Sequence, residues 1–134
     1  MAAINVRGPQ ILAEAARRGG ALLVHYSTDY VFDGGKSAPY VEDDTPNPLG
    51  AYGRTKLEGE RAIAAAGCRH LIFRTSWVYA SRGKNFLLTI RRLAAERSEL
   101  RVVDDQFGAP TSAAAIATAT ATILSANSAR VDIP

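Results

Sequence analysis

Residues 21–30, ALLVHYSTDY, decide the fold. The run Ala21-Leu22-Leu23-Val24-His25-Tyr26 is short, apolar and rich in strand formers, the pattern of a strand buried on both faces and hence of a parallel sheet. Just past it, Ser27-Thr28-Asp29-Tyr30 brings two hydroxyls and a carboxylate to the place where such a strand ends. Upstream, Ile11, Leu12, Ala15 and Ala16 recur at helical spacing between about Gly8 and Arg18, and Gly19-Gly20 stops the helix. Downstream, residues 27–50 are irregular, broken by Gly34-Gly35, Pro39, Pro46 and Pro48. A second helix is predicted over 51–66, with Leu57, Ile63 and the alanines on one face, Glu58, Glu60 and Arg61 on the other, and Gly67 at its end.

The alternation continues. Leu71-Ile72-Phe73 reads as a second strand, Ser76 to Tyr79 as a loop, Asn85 to Glu96 as a third helix and Leu100 to Val103 as a third strand. A turn-rich stretch, 104–110, leads to an alanine-rich helix over 111–124, and residues 125–134 form a weakly specified tail. Strands alternating with helices mean an α/β, doubly wound, Rossmann-like parallel sheet with flanking helices, and with no repeat or linker the whole of 1–134 reads as one unit.

The composition agrees with an ordinary globular domain: 134 residues, 47% hydrophobic and 22% charged. The formal charge of +3 is spread thinly, since residues 1–67 carry 7 basic and 8 acidic side chains and residues 68–134 carry 9 and 5. Even Arg91, Arg92 and Arg97 sit near Glu96 and Glu99, which makes a solvated face rather than a phosphate track and argues against nucleic acid. No stretch reaches the 18 apolar residues of a membrane span. One cysteine, Cys68, cannot build a disulfide framework, and the chain reads as cytoplasmic.

Ligands of open parallel sheets gather at the carboxyl ends of the strands, so the loops at Ser27-Thr28-Asp29, Thr75-Ser76-Trp77 and Asp104-Asp105-Gln106 are the places to look. Each alone reads more simply as turn chemistry. The second helix adds Tyr52 and Lys56, four residues apart and therefore on one helical face. A phenol with a pKa near 10 gives up its proton poorly, but a cation about 4 Å away at an effective dielectric near 20 supplies roughly 4 kcal/mol, about three pKa units before desolvation. Thr28 or Ser27 would then hold a substrate oxygen in line with that phenol. The spacing is weak by itself, since five tyrosines and three lysines produce it readily by chance. Its place at a helix start, after a strand ending in Ser-Thr, is what gives it weight.

Four blocks carry a closer likeness: HYSTDYVFDG (25–34), NPLGAYGRTKLEGE (47–60), FRTSWVY (73–79) and DQFGAPT (105–111). In this order they resemble the extended short-chain dehydrogenase/reductases and, among them, the dTDP-4-dehydrorhamnose reductase family. The resemblance covers most of residues 5–124 and implies reduction of the C4 keto group of dTDP-4-dehydro-L-rhamnose to dTDP-L-rhamnose, an oxidoreductase step using NADPH or NADH. It implies that Tyr52 is the general acid and that Lys56 tunes it and bonds the nicotinamide ribose, both touching the cofactor. It further implies that Thr28, with Asp29 beside it, meets the substrate and that Trp77 packs against the sugar nucleotide. Some members of the family are associated with magnesium, which Asp104-Asp105 would meet, although a turn role for that pair is the simpler reading and no metal ligand is assigned. His25 and His70 read as packed or capping histidines, with no third ligand at metal spacing.

The likeness departs from the family at one point. The glycine-rich turn that cradles the cofactor pyrophosphate is absent from the 11 glycines, so the chain is expected to be a fragment, lacking the first strands and the C-terminal segment. Exposed sheet edges in such a piece favour homo-oligomers or a partner supplying the rest. Two other readings stand beside the enzyme: a non-catalytic binding module of the same fold, like the methionine adenosyltransferase β subunit, and an inactive truncated product.

Overall fold

The computed structural model describes residues 1–127. They cluster into two compact units, Met1–Thr75 and 76–127, where the sequence reads as one.

In the first unit the chain opens with a wide helical turn, Ala3–Arg7, that runs into α1 (Gly8–Gly19). Pro9 explains the widening: it has no N–H to donate to the carbonyl of Asn5, its ordinary helical partner, and an i→i−5 bond from Gly8 to Ala3 forms instead. After the left-handed Gly20, β1 (Leu22–Thr28) pairs in parallel with β2 (Arg69–Thr75), with Leu22 opposite Arg69 and Thr28 opposite Thr75. Between them α2 (Ala51–Ala66) starts after the extended Gly50 and stops at the left-handed Gly67, at the predicted bounds.

Both strands run longer than the apolar cores read in the sequence, and they are not buried on both faces. Leu23 and Ile72 pack with Ala13 and Ala16 of α1 and Ile63 and Ala66 of α2 over Cys68, and this is the core. On the opposite face Tyr26 stacks on Phe73 with ring centroids 5.9 Å apart, and Tyr26 stays exposed. The reason is coverage: the helices of this unit lie on one face of the pair, whatever the strands' own pattern demands.

Glu60 corrects the helical wheel. It was expected on the solvent face of α2, yet it is only 6% exposed, because the Arg74 guanidinium at the end of β2 bonds both its oxygens, at 2.8 Å and 3.3 Å. A charge can leave water when a forked donor meets it.

The irregular stretch between Phe32 and Asn47 is tied by one carboxylate. Asp33 accepts from Gly35 N–H, the Tyr40 hydroxyl and Asn47 Nδ2, each at 2.9 Å, and these bonds hold its carboxyl below the ordinary value. Tyr40 stacks on Phe32 at 4.1 Å, and Lys36 pairs with Asp44 at 2.5 Å.

The second unit contains β3 (Val78–Tyr79), α3 (Phe86–Glu96), β4 (Thr111–Ser112) and α4 (Ala113–Asn127). Asn85 caps α3 by accepting from Leu88 N–H at 3.0 Å. The predicted third strand over 100–103 is not one. Those residues pair with no strand, and Val102 and Val103 are 50% and 69% exposed; an apolar tetrapeptide becomes a strand only beside a partner. The pairing falls elsewhere, as β3 runs parallel to β4 with Val78 opposite Thr111, in segments read as a loop and a helix start. Of the tail 125–134, residues 125–127 finish α4 and the rest lie outside the described residues. No helix among the described residues is long and apolar enough to cross a membrane.

Candidate functional site

The carboxyl end of β1 turns directly into a short 3-10 turn, Asp29–Val31, because Thr28 caps it: its Oγ1 accepts from Tyr30 N–H at 3.3 Å and donates to Asp29 Oδ1 at 3.2 Å. Thr28 is 6% exposed, so its hydroxyl is both buried and committed to the turn. Val31 is fully buried beneath it. The turn and the start of α2 meet through Gly53. A Cβ there would strike the Tyr30 carbonyl and lie 3.0 Å from Pro48 Cβ, so only glycine lets the helix come this close. Tyr52, next to it, sets its ring edge-on to Tyr30 at 6.0 Å and remains about half exposed. Thr28, Asp29 and Tyr52 are therefore brought to one end of the sheet, as the sequence expected.

Lys56 is placed differently from the simple pair with Tyr52. It is buried, and its Nζ donates to the Tyr26 carbonyl at 2.8 Å and lies 3.2 Å from His25 Nε2; no hydrogen bond joins it to the Tyr52 hydroxyl. Burial holds its ammonium below the ordinary value of 10.5, with the charge of Glu60 one turn along the helix pulling the other way. His25 is held below 6.5, first by burial and then by Lys56, and Glu60 again opposes. An ammonium has three N–H donors, so two are spent inside the protein and one remains for a ligand. On the same strand, Ser27 Oγ is buried without a hydrogen-bond partner, which is rare for an interior hydroxyl. These are features a bound ribose or nucleotide would fit.

Trp77 stands in the second unit. Its backbone lies in the left-handed region at φ 43°, which is uncommon for a bulky residue and is retained where surroundings enforce it. Phe86 tilts against the indole at 6.1 Å. A Cβ on Gly108 would come within 2.6 Å of the ring, so the loop after the failed strand seats the indole. Thr111 N–H donates to the Trp77 carbonyl at 3.3 Å, tying this turn to β4.

Sequence reading missed Gly53, Glu60 and Arg74 as parts of this environment, and it read His25 only as a packed or capping residue. Gly53 alone had a visible signal, a glycine inside the first turn of a helix where propensity disfavours it. His25 packs against Lys56, and His70 sets its Nδ1 2.9 Å from the Cys68 carbonyl. Asp104 and Asp105 are exposed, and among the described residues no group of three His, Cys, Asp or Glu side chains is placed to hold a metal ion; magnesium gains no support.

Comparison with known proteins adds the remaining constraint. A family model described as the RmlD substrate binding domain matches residues 1–133. The dTDP-4-dehydrorhamnose reductase of Burkholderia thailandensis is 58% identical over 118 residues, 88% of this chain and 40% of that protein. That of Mycobacterium tuberculosis is 48% identical over 122 residues, 87% of this chain and 40% of its own. Among solved structures, the Clostridium acetobutylicum dTDP-4-dehydrorhamnose reductase superposes with a TM-score of 0.88 at 44% identity, covering 92% of this chain and 44% of that one. The Bacillus anthracis reductase, solved in complex with NADP, gives 0.87 at 39% identity, covering 90% and 43%. The chain thus spans about 40% of the length of the curated relatives it matches.

Proposed function

Because the chain belongs to the RmlD substrate binding domain family, we propose that it carries the proton-transfer side of a reductase that converts dTDP-4-dehydro-L-rhamnose to dTDP-L-rhamnose with NADPH or NADH. The observation that carries the reading is the meeting, through Gly53, of the Thr28–Tyr30 turn with the helix start that presents Tyr52 one turn before Lys56. The nicotinamide, when bound, supplies the hydride that adds to C4 of the sugar. Tyr52, whose ring is half exposed, gives its phenolic proton to the C4 oxygen as that oxygen becomes an alkoxide, which completes the alcohol. Lys56, its ammonium fixed at the end of β1, offers its remaining N–H to a ribose hydroxyl and places positive charge beside the phenolate that forms. Thr28 and Asp29 border the substrate oxygen; in the second unit, taken by itself, Trp77 presents a partly exposed indole, a broad apolar face of the kind a deoxysugar ring packs against. The complex of the Bacillus anthracis relative with NADP supports the cofactor class.

The exposed Tyr26, stacked on Phe73 on the face of the β1–β2 pair away from the helices of this unit, supports association between copies of the chain, which sedimentation velocity checks. The lone buried thiol, Cys68, suits the reducing cytoplasm.

The test of the activity is consumption of NADPH on addition of dTDP-4-dehydro-L-rhamnose, with Tyr52→Phe as the control. Turnover should fall about 10²- to 10⁴-fold in Tyr52→Phe, with cofactor affinity nearly unchanged. Wild-type turnover in that variant would sink the assignment of the acid; an inert wild-type protein should regain activity when joined to the segment that carries the glycine-rich turn, and inertness of that longer chain would favour the non-catalytic module.

A further inference from the structure

We propose that His25 is a positioning residue for Lys56: its Nε2 accepts an N–H of the ammonium and, with the Tyr26 carbonyl, aims the remaining N–H, so that protonation of His25 releases the lysine. The inference deepens the reading of Lys56 as the group that meets the cofactor ribose, and it rests on that reading for its catalytic consequence alone.

The contact itself fixes the tautomer. Lys56 Nζ lies 3.2 Å from His25 Nε2, and an ammonium can only donate, so Nε2 accepts and the ring proton sits on Nδ1. The second tie, to the Tyr26 carbonyl at 2.8 Å, comes from the residue next to His25 on the same strand. A long, flexible side chain is thus held at two points at the carboxyl end of β1, where one contact would leave it free to swing. A protonated imidazole has no lone pair to offer and sets a second positive charge beside the first. The contact then becomes repulsive, and Lys56 keeps only the carbonyl.

The charges around His25 decide when this happens. From α2 it faces Lys56 and, one turn on, Glu60, which is only 6% exposed. From β2 the charged group is Arg74, whose guanidinium is bound to Glu60. The α1 residues in the core, Ala13 and Ala16, carry no charge, and the charges acting on the ring are those of Lys56 and Glu60. Burial and Lys56 favour neutral imidazole, Glu60 favours the cation, and Arg74 weakens Glu60 by pairing with it. His25 therefore stays neutral and ready to accept until the solution is more acidic than an ordinary histidine requires.

The chain makes the experiment simple, since it has three lysines and two histidines. In protein labelled with 13C-lysine and 13C-histidine, the Lys56 Cε and the His25 Cε1 resonances are followed by NMR between pH 8 and pH 5, with Lys56→Arg assigning the lysine. The expected result is an inflection of Lys56 at the His25 midpoint, absent from Lys36 and Lys84 and lost in His25→Gln. A Lys56 resonance that stays flat through the His25 midpoint overturns the proposal, as does an inflection that persists in His25→Gln. Should His25→Gln not fold, Glu60→Gln serves: the His25 midpoint should move to lower pH and the Lys56 inflection must follow it, and separation of the two overturns the coupling. None of these signals uses turnover, so a protein inert towards the keto sugar nucleotide still decides the matter.

Discussion

At the scale of single residues, the site depends on groups with no chemistry of their own. Gly53 is the clearest case, because the Tyr30 carbonyl occupies the place of its missing side chain. Gly53→Ala is expected to lower stability by about 1–3 kcal/mol, the usual cost of forcing a methyl into a filled space, read as a shift of the urea midpoint at unchanged slope. An unshifted midpoint would mean that the helix and the turn can part without cost. Tyr52 and Lys56 were legible as candidates from their types and helical spacing, Thr28 from its place after a strand, and Asp29 from the family resemblance. His25 and Gly53 were not, since their role exists only after the chain has brought β1 and α2 together. Trp77 was legible as an aromatic by a strand end; its left-handed backbone and the seat provided by Gly108 depend on a loop thirty residues away.

At the scale of elements, α2 shows what a sequence can specify and where it stops. Its bounds follow from glycines at positions 50 and 67 and from Leu57 and Ile63 at helical spacing, and these are local signals. The burial of Glu60 is not local, because it needs Arg74 from a strand fourteen residues later. Arg74→Met should cost about 2–3 kcal/mol, less than the ~3–5 of a fully buried pair broken on one side, because the guanidinium keeps some contact with water. Adding Glu60→Gln should restore part of that loss, since the stranded carboxylate is then removed; a double variant weaker than Arg74→Met in urea unfolding would contradict this. The misplaced strand at 100–103 has the same origin. Strand propensity names candidates, and the register between 78–79 and 111–112, an event of tertiary structure, selects among them.

At the scale of the whole molecule, the α/β class and the parallel pairing of β1 with β2 were readable, because apolar runs alternating with amphipathic ones constrain topology strongly. The division into two units was not, as no composition shift marks Thr75. The strands' apolar pattern asks for cover on both faces while the helices of the first unit cover one, and the chain spans about 40% of its relatives' length. Stability should also report the buried imidazole. His25 is held below 6.5 in the folded protein, so above that value both states are neutral there and nothing changes. As pH falls below it the unfolded chain binds the proton first, and stability should decline until the folded His25 titrates as well. Asp33 and Asp44, held below 3.8, add stability above that pH and lose it as the medium becomes more acidic still. Urea unfolding at pH 7 and pH 5 checks the upper window: the wild type should weaken, and His25→Gln should weaken less.

The clasp at Asp33 gives the chain a place where length is free. One carboxylate gathers positions 35, 40 and 47, so the two ends of the loop are pinned near each other whatever lies between. Residues 37–39 at its tip are exposed, and extending a flexible segment costs entropy that grows only with the logarithm of its length. A short reporter peptide grafted there would be carried at the surface, while the run from Asn47 into α2 keeps its phase and Tyr52 its orientation. For a protein whose working residues are spaced by single helical turns, that makes this a loop where an insertion need not be compensated.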